Sequence, residues 1–258
     1  MDSVNTYWAD RSALEWQIEL GADEAISDAP LNRYDLPDKT AKPAVADIAK
    51  TAAAPPAAPV AIDHAQQSKK LASAATSIDG LLASITAFDG SPLKRAARNT
   101  VFAQGNPDAP IMVIGEAPSR DEDRAGTPFA GDAAILLTNM FNAIDMGVEA
   151  SSLYLASPLP WRAPASPPPA NEVALGLPFL EHHIKLSGAK IIVVMGNTPC
   201  QMLLGKQGLT RLRGQWAEVL GLPAMPMLHP SSLLQNPAAK KDAWSDLRAI
   251  RAKLKELS

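Results

Sequence analysis

One cysteine, Cys200, stands among 258 residues, so an internal disulfide and any metal site made of several cysteines are excluded. No apolar run approaches the roughly 18 residues that a membrane span requires. The first residues are acidic rather than basic, unlike a secretory signal. A cytoplasmic protein with no membrane association is the expectation. There is no internal repeat, and no phosphate-binding glycine motif of the kind nucleotide-handling enzymes use.

Proline and alanine are abundant and unevenly spread. Residues 28–66 hold Pro30, Pro37, Pro43, Pro55, Pro56 and Pro59 among many alanines, a composition that buries no core and reads as a disordered linker. Ahead of it, residues 1–27 carry the pattern of an amphipathic helix through Ala13, Leu14, Trp16, Ile18 and Leu20, with Trp8 near the same face. That helix would dock on the protein's own surface or recruit a protein partner. Residues 1–64 hold 11 acidic and 5 basic side chains, although the whole chain is only at −3. The remainder is mildly basic, which is compatible with a nucleic-acid partner without demanding one.

Residues 67–258 read as the folded domain, expected to be monomeric. Ile111–Ile114, Leu153–Ala156, Ile191–Met195 and Ala224–Leu228 are short apolar runs, as in strands buried on both faces. Helical spacing lies between and around them, over Leu71–Phe88, Ala133–Met146, Asn171–Leu186 and Lys240–Leu257. Thr198 is placed to cap a further helix, Pro199–Leu204. Alternating strands and helices predict a three-layer α/β/α sandwich with a central, mainly parallel sheet of about four strands.

Two segments follow predicted strands directly. One runs from Gly115-Glu116-Ala117-Pro118-Ser119 to Pro128-Phe129-Ala130-Gly131; the other is His229-Pro230-Ser231-Ser232-Leu233-Leu234-Gln235-Asn236-Pro237. Loops at the carboxyl ends of strands form the ligand sites of open α/β sheets, so the two are expected to share one cleft. Glu116 or Asp121 could position water. Phe129 is either a core residue or an aromatic platform. His229 is either satisfied structurally or a proton donor. Leu233 and Leu234 are either packed inward or exposed as a wedge of the kind that enters stacked bases.

In this order and spacing, these segments resemble the uracil-DNA glycosylase superfamily, most closely its iron–sulfur branch, family 4. Val101-Phe102, Gly105-Asn106-Pro107, Leu212-Arg213-Gly214, Lys240-Lys241 and Trp244–Leu247 extend the match. The resemblance implies a DNA glycosylase that excises uracil or a related deaminated base flipped from single- or double-stranded DNA. It implies that Gly115, Ala117 and Pro118 line the base pocket, that Glu116 helps place the attacking water, and that Phe129 stacks on the base. His229 would donate to the base oxygen. Ser119, Arg213, Ser231, Ser232, Leu233 and Leu234 would contact DNA, the last pair as the wedge. No metal or other cofactor would be needed for the chemistry.

The chain departs from that pattern in several places, among them Ser119 where the family has a glycine and Gln235 where an arginine is common, which removes one phosphate contact. The four cluster cysteines of family 4 correspond to Phe88, Ser91, Trp161 and Gly176, none of them a thiolate, so no cluster is expected. The asparagine that reads the base edge corresponds to Ser157, which weakens discrimination or shifts the preferred base. The alternative reading is a catalytically weak or inactive DNA-binding descendant. A small-molecule binder on the same fold is a third.

Overall fold

The computed structural model describes residues 63–146 and 152–257. The predicted N-terminal helix and nearly all of the predicted linker lie outside the described residues. The order begins with α1 (His64–Ala74), α2 (Ile78–Ala87) and the short α3 (Pro92–Ala96). The side chain of Asp63 caps α1 by accepting from Ala65 and Gln66, so the first helix starts three residues before the expected boundary. The periodicity over Leu71–Phe88 is divided between α1 and α2, with Ser77 capping the second.

Strands β1 (Ala103–Gly105) and β2 (Ile111–Ile114) follow, then α4 (Arg120–Ala125), α5 (Asp132–Asn142), β3 (Leu153–Ala156), α6 (Ala170–Leu186) and β4 (Ile191–Met195). The chain continues through α7 (Asn197–Leu204), α8 (Leu209–Leu212), β5 (Ala217–Val219), β6 (Leu222–Met227), α9 (Pro230–Gln235) and the long α10 (Lys240–Leu257). The sheet has six strands, not about four, in the order β1-β3-β2-β4-β6-β5. The four predicted strands form its parallel centre. The two additions, β1 and β5, are three-residue antiparallel edges with half-exposed surfaces. Neither carries the apolar run by which the central strands are recognised.

Strand pleating divides the core in two. Ile111, Val113, Leu153, Leu155, Ile191, Val193 and Met225 face α5, α9 and α10. Met112, Ile114, Tyr154, Ala156, Ile192, Val194 and Ala224 face α6 and α7. Alternation from one residue to the next places side chains on opposite faces, so each central strand must be apolar throughout. A third cluster, with Leu81, Ile85, Phe88, Trp161 and Phe179, packs α1 to α3 on α6.

Candidate active site

From the central β2 the chain moves to β3 on one side and then crosses to β4 on the other. The loops after β2 and β4 therefore part at a topological switch point, where open α/β sheets hold ligands. A cleft of about 580 Å3 opens there, lined by Glu116, Asn197, Thr198, Gln201, Leu228 and Ser232 among others. Both predicted loops thus reach one cleft.

Gly115 leaves β2 with its N–H donating to the Ala156 carbonyl at 3.0 Å. A Cβ at this position would lie 2.9 Å from Cζ of Phe129, so the close approach of the ring requires glycine. Glu116 accepts the N–H of Asn197 at 2.8 Å, of Thr198 at 3.2 Å and of Ala117 at 3.1 Å. Its carboxylate caps α7 from another strand, and the helix's positive end favours that charge. The expected cap, Thr198, instead lies in the first turn. Gly196, with φ +129°, leaves room for the carboxylate, since a Cβ would meet Oε2 of Glu116 at 2.4 Å. Cys200, buried in the same helix, has its thiol pushed up to about 12 by burial and then by the Glu116 charge, so it stays protonated. Pro118 is buried, Ala117 is half-buried, and exposed Ser119 caps α4.

His229 is the residue before α9, and its Nδ1 accepts the Ser231 N–H at 3.3 Å. Ser231 Oγ also lies 3.1 Å from Nδ1; in a neutral ring whose Nδ1 accepts from Ser231, the proton is on Nε2. Burial lowers the imidazole's pKa from 6.5 to about 4, so the ring is neutral near pH 7. Nε2 of His229 is the one buried side-chain nitrogen or oxygen without a hydrogen-bond partner among the described residues. The ring stacks on Phe129, with centroids 5.3 Å apart and planes 13° from parallel. Phe129 is only 3% exposed, and its φ of +56° is left-handed, a conformation rare outside glycine.

Three of the predicted contact residues already have partners within the fold. Leu233 is 1% exposed and packs in the core under α5 and α10, whereas Leu234 is 43% exposed. One turn of α9 points neighbouring residues in different directions, so the two cannot act together as a wedge. Arg213 donates through Nε and Nη2 to both carboxylate oxygens of Asp246, at 3.1 and 2.6 Å, and to the Asp242 carbonyl. Its guanidinium ties the loop after α8 to α10 rather than presenting itself to a phosphate. Asp246 is 2% exposed, and burial raises its pKa against the opposing pull of Arg213. Ser157, also buried, donates its hydroxyl to the Leu159 carbonyl at 2.6 Å. It keeps acceptor capacity but has no hydroxyl proton to spare. Ser231 and Ser232 are exposed, and Ser232 borders the cleft.

Sequence reasoning missed Glu122. Its Oε2 accepts from Ser119 N–H and its Oε1 from Phe129 N–H, both at 2.7 Å. The spacing Ser119-x-x-Glu122 is the signature of a capping box and was the available signal, though it reveals nothing of the bond to Phe129.

Phe88, Ser91, Trp161 and Gly176, the positions that the resemblance sets against cluster cysteines, meet in space. Phe88 and Trp161 stack with centroids 6.5 Å apart, and Ser91 and Gly176 border the same remaining cavity of about 10 Å3. That is room for about one water. Ser91 donates to Glu172 there. Two aromatic rings, a hydroxyl and a glycine offer no thiolate, and the volume is filled, so an iron–sulfur cluster does not fit.

Fold and cleft together define an α/β protein with its ligand site at the switch point of a mainly parallel sheet. The Uracil DNA glycosylase superfamily matches residues 102–248, more than half of the chain. Three similar proteins are type-4 uracil-DNA glycosylases. That of Sulfurisphaera tokodaii is 32% identical over 163 residues, covering 59% of this chain and 74% of its own. The Thermotoga maritima protein is 33% identical, covering 56% and 77%. The Archaeoglobus fulgidus protein is 29% identical, covering 67% and 92%. The chain belongs to the uracil DNA glycosylase superfamily.

Proposed function

We infer that this protein is a DNA N-glycosylase of DNA repair, hydrolysing the bond between the sugar and uracil or a related deaminated base flipped out of DNA. The observation that carries this reading is the unpartnered, buried Nε2 of a neutral His229 stacked on Phe129. As the bond from C1′ to the base nitrogen breaks, its electron pair goes to the base and positive charge builds on the sugar. A fixed Nε2–H donor stabilises the charge on the base oxygen and needs no reorganisation, an effect worth several kcal/mol. A neutral imidazole can donate without first having to be protonated. Glu116, held by three backbone N–H groups, would present its remaining lone pairs to the water that attacks C1′. Flipping costs a few kcal/mol, offset by contacts in the pocket. Leu234, not Leu233, would fill the space the base vacates, with Ser231 and Ser232 beside it on the DNA. We take the protein to be a cytoplasmic monomer, with its one cysteine, Cys200, buried and free. The apolar pattern of the first 27 residues suits a docking peptide for a protein partner.

The test is to incubate the protein with oligonucleotides carrying uracil, hypoxanthine, xanthine or cytosine and then cleave at abasic sites. Release of a base, reduced about 100- to 1,000-fold by His229→Ala, supports the reading. The alternative, a weak or inactive DNA-binding descendant, is favoured by Ser157 standing where the family carries an amide. Salt-sensitive DNA binding with no base released would establish that alternative.

A further inference from the structure

We propose that Glu122 is a positioning residue that holds the Phe129 ring against His229 and ties the two halves of the first loop into one unit. The inference rests on the glycosylase reading for its catalytic consequence, but its geometry stands independently.

A capping-box glutamate ordinarily uses one oxygen on the N-cap N–H and leaves the other to solvent. Here Oε2 takes the Ser119 N–H, and Ser119 Oγ returns the bond by accepting the Glu122 N–H at 3.3 Å. The second oxygen is not left to solvent. Oε1 takes the N–H of Phe129, seven residues away, beyond the left-handed Gly126 that ends α4. Glu122 is 7% exposed, so water has little access to substitute for either partner. Both short bonds are to a carboxylate, and charge-assisted bonds of this type are roughly twice as strong as neutral ones.

Phe129 needs such a tether. A non-glycine residue at φ +56° is strained and persists only where its surroundings over-determine it. The ring contributes by stacking on His229 and abutting Gly115. The Glu122 bond fixes the backbone. Ser119 closes the water-placing segment and Phe129 belongs to the base-stacking one, so a single carboxylate sets the distance between them. Glu122 itself touches no substrate; its effect passes through Phe129.

The test uses the full chain with Glu122→Gln. Glutamine keeps one acceptor oxygen and turns an amide N–H2 toward the other backbone donor. The expected result is a 10- to 100-fold fall in single-turnover base release, the scale of an ångström-sized misplacement. DNA affinity measured by fluorescence anisotropy should stay within about twofold, because phosphate contacts dominate it. The His229 ring protons, which sit in the ring current of Phe129, should shift in the NMR spectrum. Glu122→Gln/Phe129→Ala should release base no more slowly than Phe129→Ala alone, since residues acting through one contact are not additive. Full activity in Glu122→Gln, unmoved His229 resonances, or losses that add in the double variant would each overturn the proposal. If Glu122→Gln does not fold, Glu122→Asp keeps the charge one methylene short of Phe129 and must show the same shift and a partial loss. A wild-type protein that releases no base overturns the catalytic reading, while the NMR arm still decides whether Glu122 sets the ring.

Discussion

At the scale of single residues, the site depends on where each hydrogen-bonding group is already committed. Ser157 illustrates this. With its hydroxyl proton given to Leu159, it can only accept, and so it favours bases with a ring N–H at the reading edge. Uracil, hypoxanthine and xanthine have one; cytosine presents an acceptor instead. Ser157→Asn would restore a group that both donates and accepts, a bidentate arrangement worth about 1–3 kcal/mol of discrimination. Relative single-turnover rates on the four oligonucleotides should then move toward uracil by about tenfold or more. Equal ratios in the two proteins would show that Ser157 does not read the base. From the residues alone Glu116 was a candidate by its place after a strand, whereas Phe129 and His229 had both a structural and a functional reading, and only the resemblance gave them roles. The commitments of Glu116 to α7 and of Glu122 to Phe129 were not legible, because both partners lie outside the local motif.

At the scale of elements, α9 shows why two adjacent leucines have different fates. Leu233 is packed in the core and Leu234 is exposed. Leu233→Ala should cost about 2–5 kcal/mol in urea unfolding, as buried leucine truncations do. Leu234→Ala should change stability by less than about 0.5 kcal/mol. It should nevertheless lower base release from duplex more than from single-stranded DNA, because only the duplex leaves a gap to fill. The central strands were legible because burial on both faces demands continuous apolar runs. The edge strands β1 and β5 were not, since three residues give too short a pattern. Helix α4 acts as a junction in the same spirit. Besides the Glu122 bonds, Asp123 accepts from the N–H of Arg98 and of Asn99 and pairs with Arg162, so α4 also anchors those neighbouring segments.

At the scale of the whole molecule, two histidines set an acid limit. His183 is 2% exposed, joins Tyr154 Oη at 2.8 Å and stacks on Phe102. Burial lowers its pKa from 6.5 to about 3, and that of His229 to about 4. Below pH 6.5 the unfolded chain takes up protons at both sites before the native state does. Their contribution is therefore complete above about pH 6.5 and is lost as pH falls toward the folded values. The urea midpoint should drop between pH 6.5 and 5, above most carboxylate titrations. His183→Gln, which keeps a polar partner for Tyr154 but cannot titrate, should flatten that slope. An unchanged slope would remove His183 as a cause. The filled third cluster carries a second global expectation. Purified protein should contain no iron and show no absorbance band near 400 nm, and a stoichiometric iron content would refute the packing argument.

The sequence by itself determined the layer architecture and the cleft. Apolar runs, their alternation with helices and the turn residues after strands are local patterns, and local patterns survive in one dimension. It also determined that one cysteine cannot supply a site of several thiolates. Only the tertiary structure decided which groups remain free to act. Arg213 was already paired with Asp246, Leu233 was in the core, and Ser157 had used its proton, while His229 kept an unpartnered N–H over the Phe129 ring. Those outcomes depend on which polar atoms meet across long stretches of chain, since a buried donor or acceptor takes whatever partner the fold brings to it.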